Sequence, residues 1–169
     1  NGQHLSLVAL SDLEPRVTPA IVTAGLATQS ELDSRRDWYL SLLDLLRVRA
    51  RRIGDIVRQA VPYFAENIDY DPEAVAKQWK EADVVIAILE DARASLSEVA
   101  DWTTPALEEA LRALAERRQI AAGKIFQPLR VALTGLTVSP GIFDVLVLLG
   151  REKSLRRLDA ATQFLRPKG

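Results

Sequence analysis

Glycine and proline are sparse in this chain, and the stretches between them are rich in leucine, alanine, valine, arginine and glutamate. These residues are mostly good helix formers, whereas glycine and proline mark the places where helices end. A hydrophobic content of 48% in 169 residues supplies enough apolar surface for a core. The sequence therefore predicts an all-α protein whose helices are joined by short turns.

Two start signals define the first helices. Ser11 and Glu14 have the spacing of a capping box, so we expect a helix there that Pro19 bends or restarts and Gly25 ends. Ser30 is expected to cap a longer helix, whose apolar residues recur at intervals of three and four. Its apolar stripe comprises Leu32, Trp38, Tyr39, Leu42, Leu43, Leu45 and Leu46.

A basic run at residues 47–52 separates this stripe from a second apolar pattern that Pro62 closes. We predict a turn between two helices at the basic run. The segment that follows has Asp71 as a helix cap and Pro72 as the first helical residue. We place a boundary near Tyr70, which gives one helical subdomain over residues 1–70 and a second over residues 71–169.

The second subdomain is predicted to consist of successive short and medium helices. Proline and glycine again mark where several of them begin or stop. The predicted elements are a short helix over 74–80, a longer one through 84–96, a helix starting at Thr104-Pro105, a helix over 124–133, a turn over 134–138, a Ser139-capped helix over 142–149 stopped by Gly150, and a last helix over 152–164.

Residue counts exclude several kinds of chemistry. The chain has no cysteine, and its single histidine is His4, so a hydrolytic triad and a three- or four-ligand transition-metal cage are both excluded. Absence of cysteine fits a reducing compartment, and we expect a cytoplasmic protein. The longest apolar run, residues 142–149, is far shorter than the roughly 20 residues of a membrane-spanning helix. We therefore predict no catalytic residue, no metal site and no membrane partner.

The net charge of −1 does not by itself indicate nucleic-acid binding. Such binding would have to use local basic patches, and the alternative is that these are solvated helix faces. The candidate patches are Arg47, Arg49, Arg51 and Arg52; Arg117, Arg118, Lys124 and Arg130; and Arg151, Lys153, Arg156 and Arg157.

The most informative stretch is GKIFQPLRVALTG at residues 123–135, followed by VSPGIFD at 138–144 and LLGRE at 148–152. Together with Leu46-Arg47-Val48-Arg49 and Asn1-Gly2, it resembles the C-terminal anticodon-binding region of bacterial glutamyl-tRNA synthetases. The resemblance covers essentially the whole chain, and its central motif spans about thirty residues in order, far more than a short pattern. It implies a helical-cage type of anticodon-binding region.

The resemblance also implies a set of tRNA-binding residues, in which Arg47 and Arg49 meet the anticodon loop from the first subdomain. Arg49 matches the position associated with the third anticodon base, which is C in glutamate anticodons and G in glutamine anticodons. In the second subdomain the positions that lie against the anticodon are Gln127, Arg130, Ser139, Pro140 and Ile142. The turn before Ile142 is small and polar, which suits contact with unstacked bases of an RNA loop.

Structural alternatives exist for most of these residues. Ser139-Pro140 would serve as a helix cap in any protein, Ile142 alone would be a core residue, and Gln127-Pro128 would be a helix kink. Arg47 and Arg49 are better placed for a ligand, because consecutive basic residues at a turn are poorly suited to a core.

The expected partner is therefore glutamate tRNA, bound through its anticodon loop by a monomer with no affinity for DNA. The resemblance implies a parent enzyme that attaches glutamate to tRNA with ATP and magnesium, in a catalytic domain whose signature motifs are absent from this sequence. We expect the chain to be a fragment, or a natural chain trimmed at its start, with no cofactor of its own. The alternative is a free-standing helical module that binds tRNA or another protein.

Overall fold

The computed structural model describes residues 5–167, which include ten α-helices and no strand. The all-α prediction is confirmed. The chain divides into two compact units between Glu66 and Asn67. Tyr70, where we placed the boundary, lies in the second unit, and its ring centroid is 4.8 Å from those of Trp79 and Phe164. That the two stretches act as separate anticodon-binding subdomains stays a prediction.

From residue 5 onward, the first unit contains four α-helices and two short 3-10 turns. In chain order they are a 3-10 turn at Leu5–Leu7, α1 at Leu10–Thr23, α2 at Gln29–Ser34, α3 at Arg36–Leu46, a 3-10 turn at Arg47–Arg49, and α4 at Ile53–Phe64. Helix α1 buries Leu13, Val17 and Ile21, whose spacing of four residues places them on one face. This face packs against α3 and α4 to form the core of the unit.

Two of the predicted helix starts are wrong. Helix α1 begins at Leu10 after Ala9, so Ser11 lies inside the first turn and makes no capping bond. The helix also runs through Pro19 without a break, and the proline ring is exposed to solvent. Thr28, not Ser30, caps the next helix, since its hydroxyl accepts a hydrogen bond from the Glu31 amide over 3.1 Å.

The expected long helix from Ser30 to Leu46 is instead two helices. Arg35, with φ −122° and ψ 39°, separates α2 from α3. The apolar spacing continues across this break, so periodicity alone could not locate it. The predicted turn at the basic run is confirmed, and Pro62 lies inside α4, which ends two residues later at Phe64.

The second unit, as described up to residue 167, contains six helices: α5 at Pro72–Gln78, α6 at Ala82–Ser97, α7 at Thr104–Arg118, α8 at Gly123–Thr134, α9 at Ile142–Leu149 and α10 at Arg151–Leu165. The cap at Asp71 is confirmed, because its carboxylate accepts a hydrogen bond from the Glu73 amide over 3.0 Å. The bounds of α9 are those predicted, and Gly150, with φ +83°, ends it.

Helix α6 is central to the second unit and packs against α7, α8 and α10. Its Leu89, Ala92 and Leu96 are fully buried. Helices α8 and α9 pack against each other and against α10, so the turn between them is held at both ends by buried helices. No helix in residues 5–167 is both long and apolar enough to span a membrane.

Candidate functional site

The turn between α8 and α9 begins at a glycine that no other residue could replace without strain. Gly135 has φ +78°, in the left-handed region, and a Cβ atom added there would lie 2.2 Å from the carbonyl oxygen of Asp69. Its own carbonyl oxygen accepts a hydrogen bond from the Asp71 amide over 2.9 Å. The Thr-Gly part of the motif therefore fixes the turn against the segment that precedes α5.

Thr134 holds the same turn from the helix side. Its hydroxyl donates to the carbonyl oxygen of Arg130 over 2.8 Å and accepts a hydrogen bond from the Leu136 amide over 3.1 Å. The last residue of α8 thus satisfies the first amide beyond Gly135. The Thr134 hydroxyl and the Leu136 amide are both part-buried, and an unpaired amide there would lower the stability of the fold.

Three of the predicted site residues form one hydrogen-bonded cluster. The Nε atom of Arg130 donates to the Ser139 hydroxyl over 2.7 Å, and its Nη1 atom donates to Oε1 of Gln127 over 2.8 Å. The guanidinium thereby links Gln127, three residues earlier on α8, to Ser139 at the end of the α8–α9 turn. We name Gln127, Arg130 and Ser139 the arginine cluster.

Ser139 does not cap α9, and that prediction is wrong. Gly141 occupies the capping position with no side-chain hydrogen bond, while the Ser139 hydroxyl donates to the Pro140 carbonyl over 2.8 Å and accepts from Arg130. The Ser139 hydroxyl therefore pairs with Arg130, nine residues earlier in the chain, and not with an amide at the start of α9. The motif's serine serves to hold the arginine.

Pro140 and Ile142 are buried, Ile142 with 3% of its surface exposed. Their side chains belong to the packing of α9, so any contact with a ligand would have to come from the backbone beside them. The Pro128 ring is likewise buried inside α8, which runs through it unbroken, and its carbonyl accepts a hydrogen bond from the Trp79 indole over 3.1 Å. The roles of Pro140 and Ile142 at an RNA loop stay predictions.

The start of α9 offers backbone amides that have no partner within the helix. Gly141 is exposed there, but Asp144 lies in the same first turn with its carboxylate 3.5 Å from where a Gly141 Cβ would stand. This negative charge disfavours a phosphate at the helix start. The amides are better suited to neutral acceptors, such as carbonyl oxygens of a base.

In the first unit, Arg47 and Arg49 differ sharply although they share one 3-10 turn. The Arg47 guanidinium donates to the carbonyl oxygen of Val8 and pairs with Oδ1 of Asp44 at 2.6 Å, leaving 19% of its side chain exposed. Arg49 is exposed, and its side chain makes no hydrogen bond or ion pair to another described residue. Arg47 therefore shapes the turn, and Arg49 is the one presented to solvent.

Asp55 fastens the end of the basic run to α4. Its Oδ2 atom accepts hydrogen bonds from the backbone amides of Arg51 and Arg52 at 3.1 and 3.0 Å. These two bonds, with smaller contributions from the charges of Arg58 and Arg52, lower the pKa of the Asp55 carboxyl below its ordinary value. The backbone that carries Arg49 is thus tied down two residues later.

The basic patch of α10 is largely structural. Arg157 is 4% exposed and donates to the carbonyl oxygen of Leu133 over 2.7 Å, at the end of α8. Arg151 donates to the carbonyl oxygen of Val99 over 2.6 Å and lies over the Trp102 ring. These cations bind helix ends and an aromatic face, so they do not form a free surface for RNA.

Sequence reasoning did not select Phe126 and Phe143, which join the starts of α8 and α9. Their ring centroids are 5.3 Å apart in an edge-to-face arrangement, and both rings are half-buried. Each ring is adjacent in sequence to a predicted site residue, Gln127 or Ile142. Both phenylalanines lie inside the motif, which could have drawn attention to them in the sequence. Their contact with each other, however, is seen only in the fold.

Two sequence observations fall outside the described residues, namely His4 and the Asn1-Gly2 match. Among residues 5–167, no group of three or more histidine, aspartate or glutamate side chains is arranged to hold a metal ion.

Comparisons with known proteins agree on one group. The family described as "Anticodon binding domain" matches residues 12–162. The chain is 34% identical over 165 residues to a glutamate–tRNA ligase of Roseiflexus castenholzii, covering 98% of this chain and 32% of the relative. It is 43% identical over 143 residues to glutamate–tRNA ligase 2 of Rhizorhabdus wittichii, covering 82% of this chain and 30% of the relative.

The fold is also found in a solved structure. A glutamate tRNA ligase from Elizabethkingia meningosepticum, crystallised in complex with its amino acid, superposes with a TM-score of 0.81 at 22% identity. That superposition covers 98% of this chain and 31% of the solved chain. The chain therefore spans about a third of the length of the relatives it matches.

Proposed function

This chain belongs to the anticodon-binding domain family, and membership of that family implies tRNA binding. We propose that it recognises the anticodon loop of glutamate tRNA. The arginine cluster is the observation that carries the proposal. Its guanidinium is held at the edge of a turn whose conformation is fixed by Gly135 and Thr134. A rigidly held arginine loses little freedom when it binds a base.

In this proposal each unit contributes one element of recognition. In the second unit, Arg130 and the exposed amides at the start of α9 provide donors for base edges. In the first unit, the exposed guanidinium of Arg49 contacts the third anticodon base. Cytosine presents acceptors at N3 and O2 on its pairing edge, whereas guanine presents N–H donors, so an arginine at this position selects C.

The chain would act as the tRNA-reading part of a glutamate–tRNA ligase in the cytoplasm. Attachment of glutamate, with ATP and magnesium, would be carried out by a part of the enzyme that lies outside this sequence. The relatives named glutamate–tRNA ligase, of which the chain covers about a third, support this division of roles. We further propose that the chain is a monomer and binds neither DNA nor membranes.

The direct test is binding of labelled glutamate tRNA to the purified chain at two salt concentrations. RNA binding releases counterions, so affinity should fall steeply as salt rises. A protein-interaction module would bind the tRNA weakly or not at all, and its affinity for a protein partner through an apolar interface would respond far less to salt. Failure to bind glutamate tRNA at low salt would refute the proposal.

A further inference from the structure

A basic groove lies in the second unit, where the end of α5 and the starts of α6 and α8 meet. It encloses about 450 Å³. We name it the lysine groove after Lys77, Lys80 and Lys124; Glu81, Val84 and Gln127 also line it. The sequence placed Lys124 in a candidate basic patch with Arg117, Arg118 and Arg130, but Lys77 and Lys80 were not selected, because they lie far from Lys124 along the chain.

The charge of the lysine groove is unbalanced. Three lysines face one carboxylate, Glu81, which gives a local charge of +2 on a chain whose net charge is −1. The lysine side chains are exposed and make no hydrogen bond or ion pair to another residue in the described part of the chain. Their charges are therefore available to a ligand.

Two other grooves of the same unit show the contrast. In the groove between α6 and α10, Arg166 pairs with Glu90 at 3.1 Å and Arg93 pairs with Asp159 at 2.6 Å. In the groove beside α7, Arg118 pairs with Asp91. Those cations are neutralised within the protein, whereas the lysine groove keeps an excess of positive charge.

The lysine groove is continuous with the arginine cluster through Gln127. That residue lines the groove, and its Oε1 atom accepts the hydrogen bond from Arg130. Lys124, Gln127 and Arg130 follow one another at intervals of three residues along α8. With a rise of 1.5 Å per residue, Lys124 and Arg130 are about 9 Å apart along the helix axis, close enough for one short RNA segment to reach both.

A loop bound at the arginine cluster needs its phosphates neutralised nearby, and Asp144 makes the start of α9 unsuitable for that purpose. We propose that the lysine groove binds backbone phosphates of the RNA whose bases are read at the arginine cluster. This inference rests on the proposed function, because it assigns the groove to the same RNA. It adds a site that positions the RNA without reading its sequence.

The test compares two variants that each remove two positive charges. Lys77→Ala/Lys124→Ala takes one lysine from each side of the groove. Arg93→Ala/Arg166→Ala is the matched control, since both arginines lie in the groove between α6 and α10, where each is already paired with a carboxylate. The affinity of each chain for an RNA hairpin carrying the glutamate anticodon loop is measured over a range of salt concentrations.

The lysine variant should bind more weakly than the control at every salt concentration below about 0.2 M, and its log-affinity against log-salt slope should be smaller by about one to two. Its relative preference among hairpins with different anticodons should not change, because phosphate contacts carry no sequence information. The charge-preserving variant Lys77→Arg/Lys124→Arg should restore the slope.

Equal slopes for the lysine variant and the control would overturn the lysine groove while leaving the proposed function intact, provided the unaltered chain binds the hairpin. Lack of binding by the unaltered chain would overturn both. A lysine variant that loses anticodon preference without a change in slope would also contradict a phosphate site, since that result would make the groove a reader of bases.

Discussion

The Nε atom of Arg130 lies 2.7 Å from the Ser139 hydroxyl oxygen, nine residues further along the chain and across the α8–α9 turn. This contact gives the serine of the Ser-Pro-Gly sequence a different role from the one expected. It orients a guanidinium that Gln127 holds from the other side. The predicted arginine is therefore pre-organised by two other predicted residues, and it also contributes to the stability of the turn.

Ser139→Ala should reduce RNA affinity by about two- to tenfold, because an arginine without its partner must lose side-chain freedom on binding. Loss of the hydrogen bond should also lower the free energy of unfolding by about 1 kcal/mol. Ser97→Ala is the control, since that exposed hydroxyl bonds only the Ala94 carbonyl within α6. Hairpin binding and urea unfolding measure the two effects. An unchanged affinity in Ser139→Ala would show that pre-organisation of Arg130 is unimportant.

Arg47→Ala and Arg49→Ala should have opposite signatures. Removing Arg47 leaves the Val8 carbonyl without its donor and Asp44 without its ion pair, so we expect a loss of about 1–3 kcal/mol in the free energy of unfolding. Removing the exposed Arg49 should leave stability unchanged but reduce the preference for C over G at the third anticodon position, which we expect to be about tenfold. Unfolding and hairpin-binding measurements on both variants check this. An undiminished C-to-G ratio in Arg49→Ala would assign that arginine to the backbone.

Gly135→Ala should destabilise the second unit by at least about 2 kcal/mol, since the left-handed conformation alone costs an L-residue about 1–2 kcal/mol. The added methyl group would also meet the Asp69 carbonyl. Gly123→Ala is the control, because a Cβ atom there meets nothing within 4 Å and the backbone is helical. Thermal unfolding of both variants provides the measurement. Equal stability of the two would mean that the turn can move away from Asp69 without cost.

The fold class, the cap at Asp71 and the bounds of α9 could be predicted because each depends on residues close in sequence. Ser139 could not be assigned correctly in the same way. A serine before Pro-Gly has a local role as a cap, and only the tertiary approach of Arg130 shows that its hydroxyl is used elsewhere. The break at Arg35 was missed for a related reason, since apolar periodicity continues through it.

The candidate site follows the same pattern. The sequence placed both Arg47 and Arg49 at the anticodon loop, but Val8 and Asp44 engage Arg47 and not Arg49. The lysine groove joins residues from α5, the start of α6 and α8, so no single sequence window contains it. Residue type and spacing indicate which side chains can bind RNA, whereas their availability depends on contacts between distant segments.

Asp55 should give the basic turn a dependence on acid pH. Because the folded pKa of its carboxyl is lowered, its contribution to stability is complete above the unfolded pKa of about 4 and is lost as pH falls through the folded value. Asp55→Asn should therefore show a smaller loss of stability between neutral pH and pH 3 than the unaltered chain. NMR titration of the carboxyl and urea unfolding across this range are the measurements. A titration midpoint at or above the ordinary aspartate value would contradict the two backbone hydrogen bonds.

A four-way binding measurement shows whether the arginine cluster reads the anticodon of glutamate tRNA. The unaltered chain and Arg130→Ala are each titrated with a hairpin carrying the glutamate anticodon and with the same hairpin carrying an unrelated anticodon. The unaltered chain should bind the glutamate hairpin about 5- to 150-fold more tightly than Arg130→Ala does, the equivalent of about 1–3 kcal/mol. It should discriminate between the two hairpins, and Arg130→Ala should do so much less. Equal binding of both hairpins by the unaltered chain, or undiminished discrimination by folded Arg130→Ala, would show that the arginine cluster does not read the anticodon.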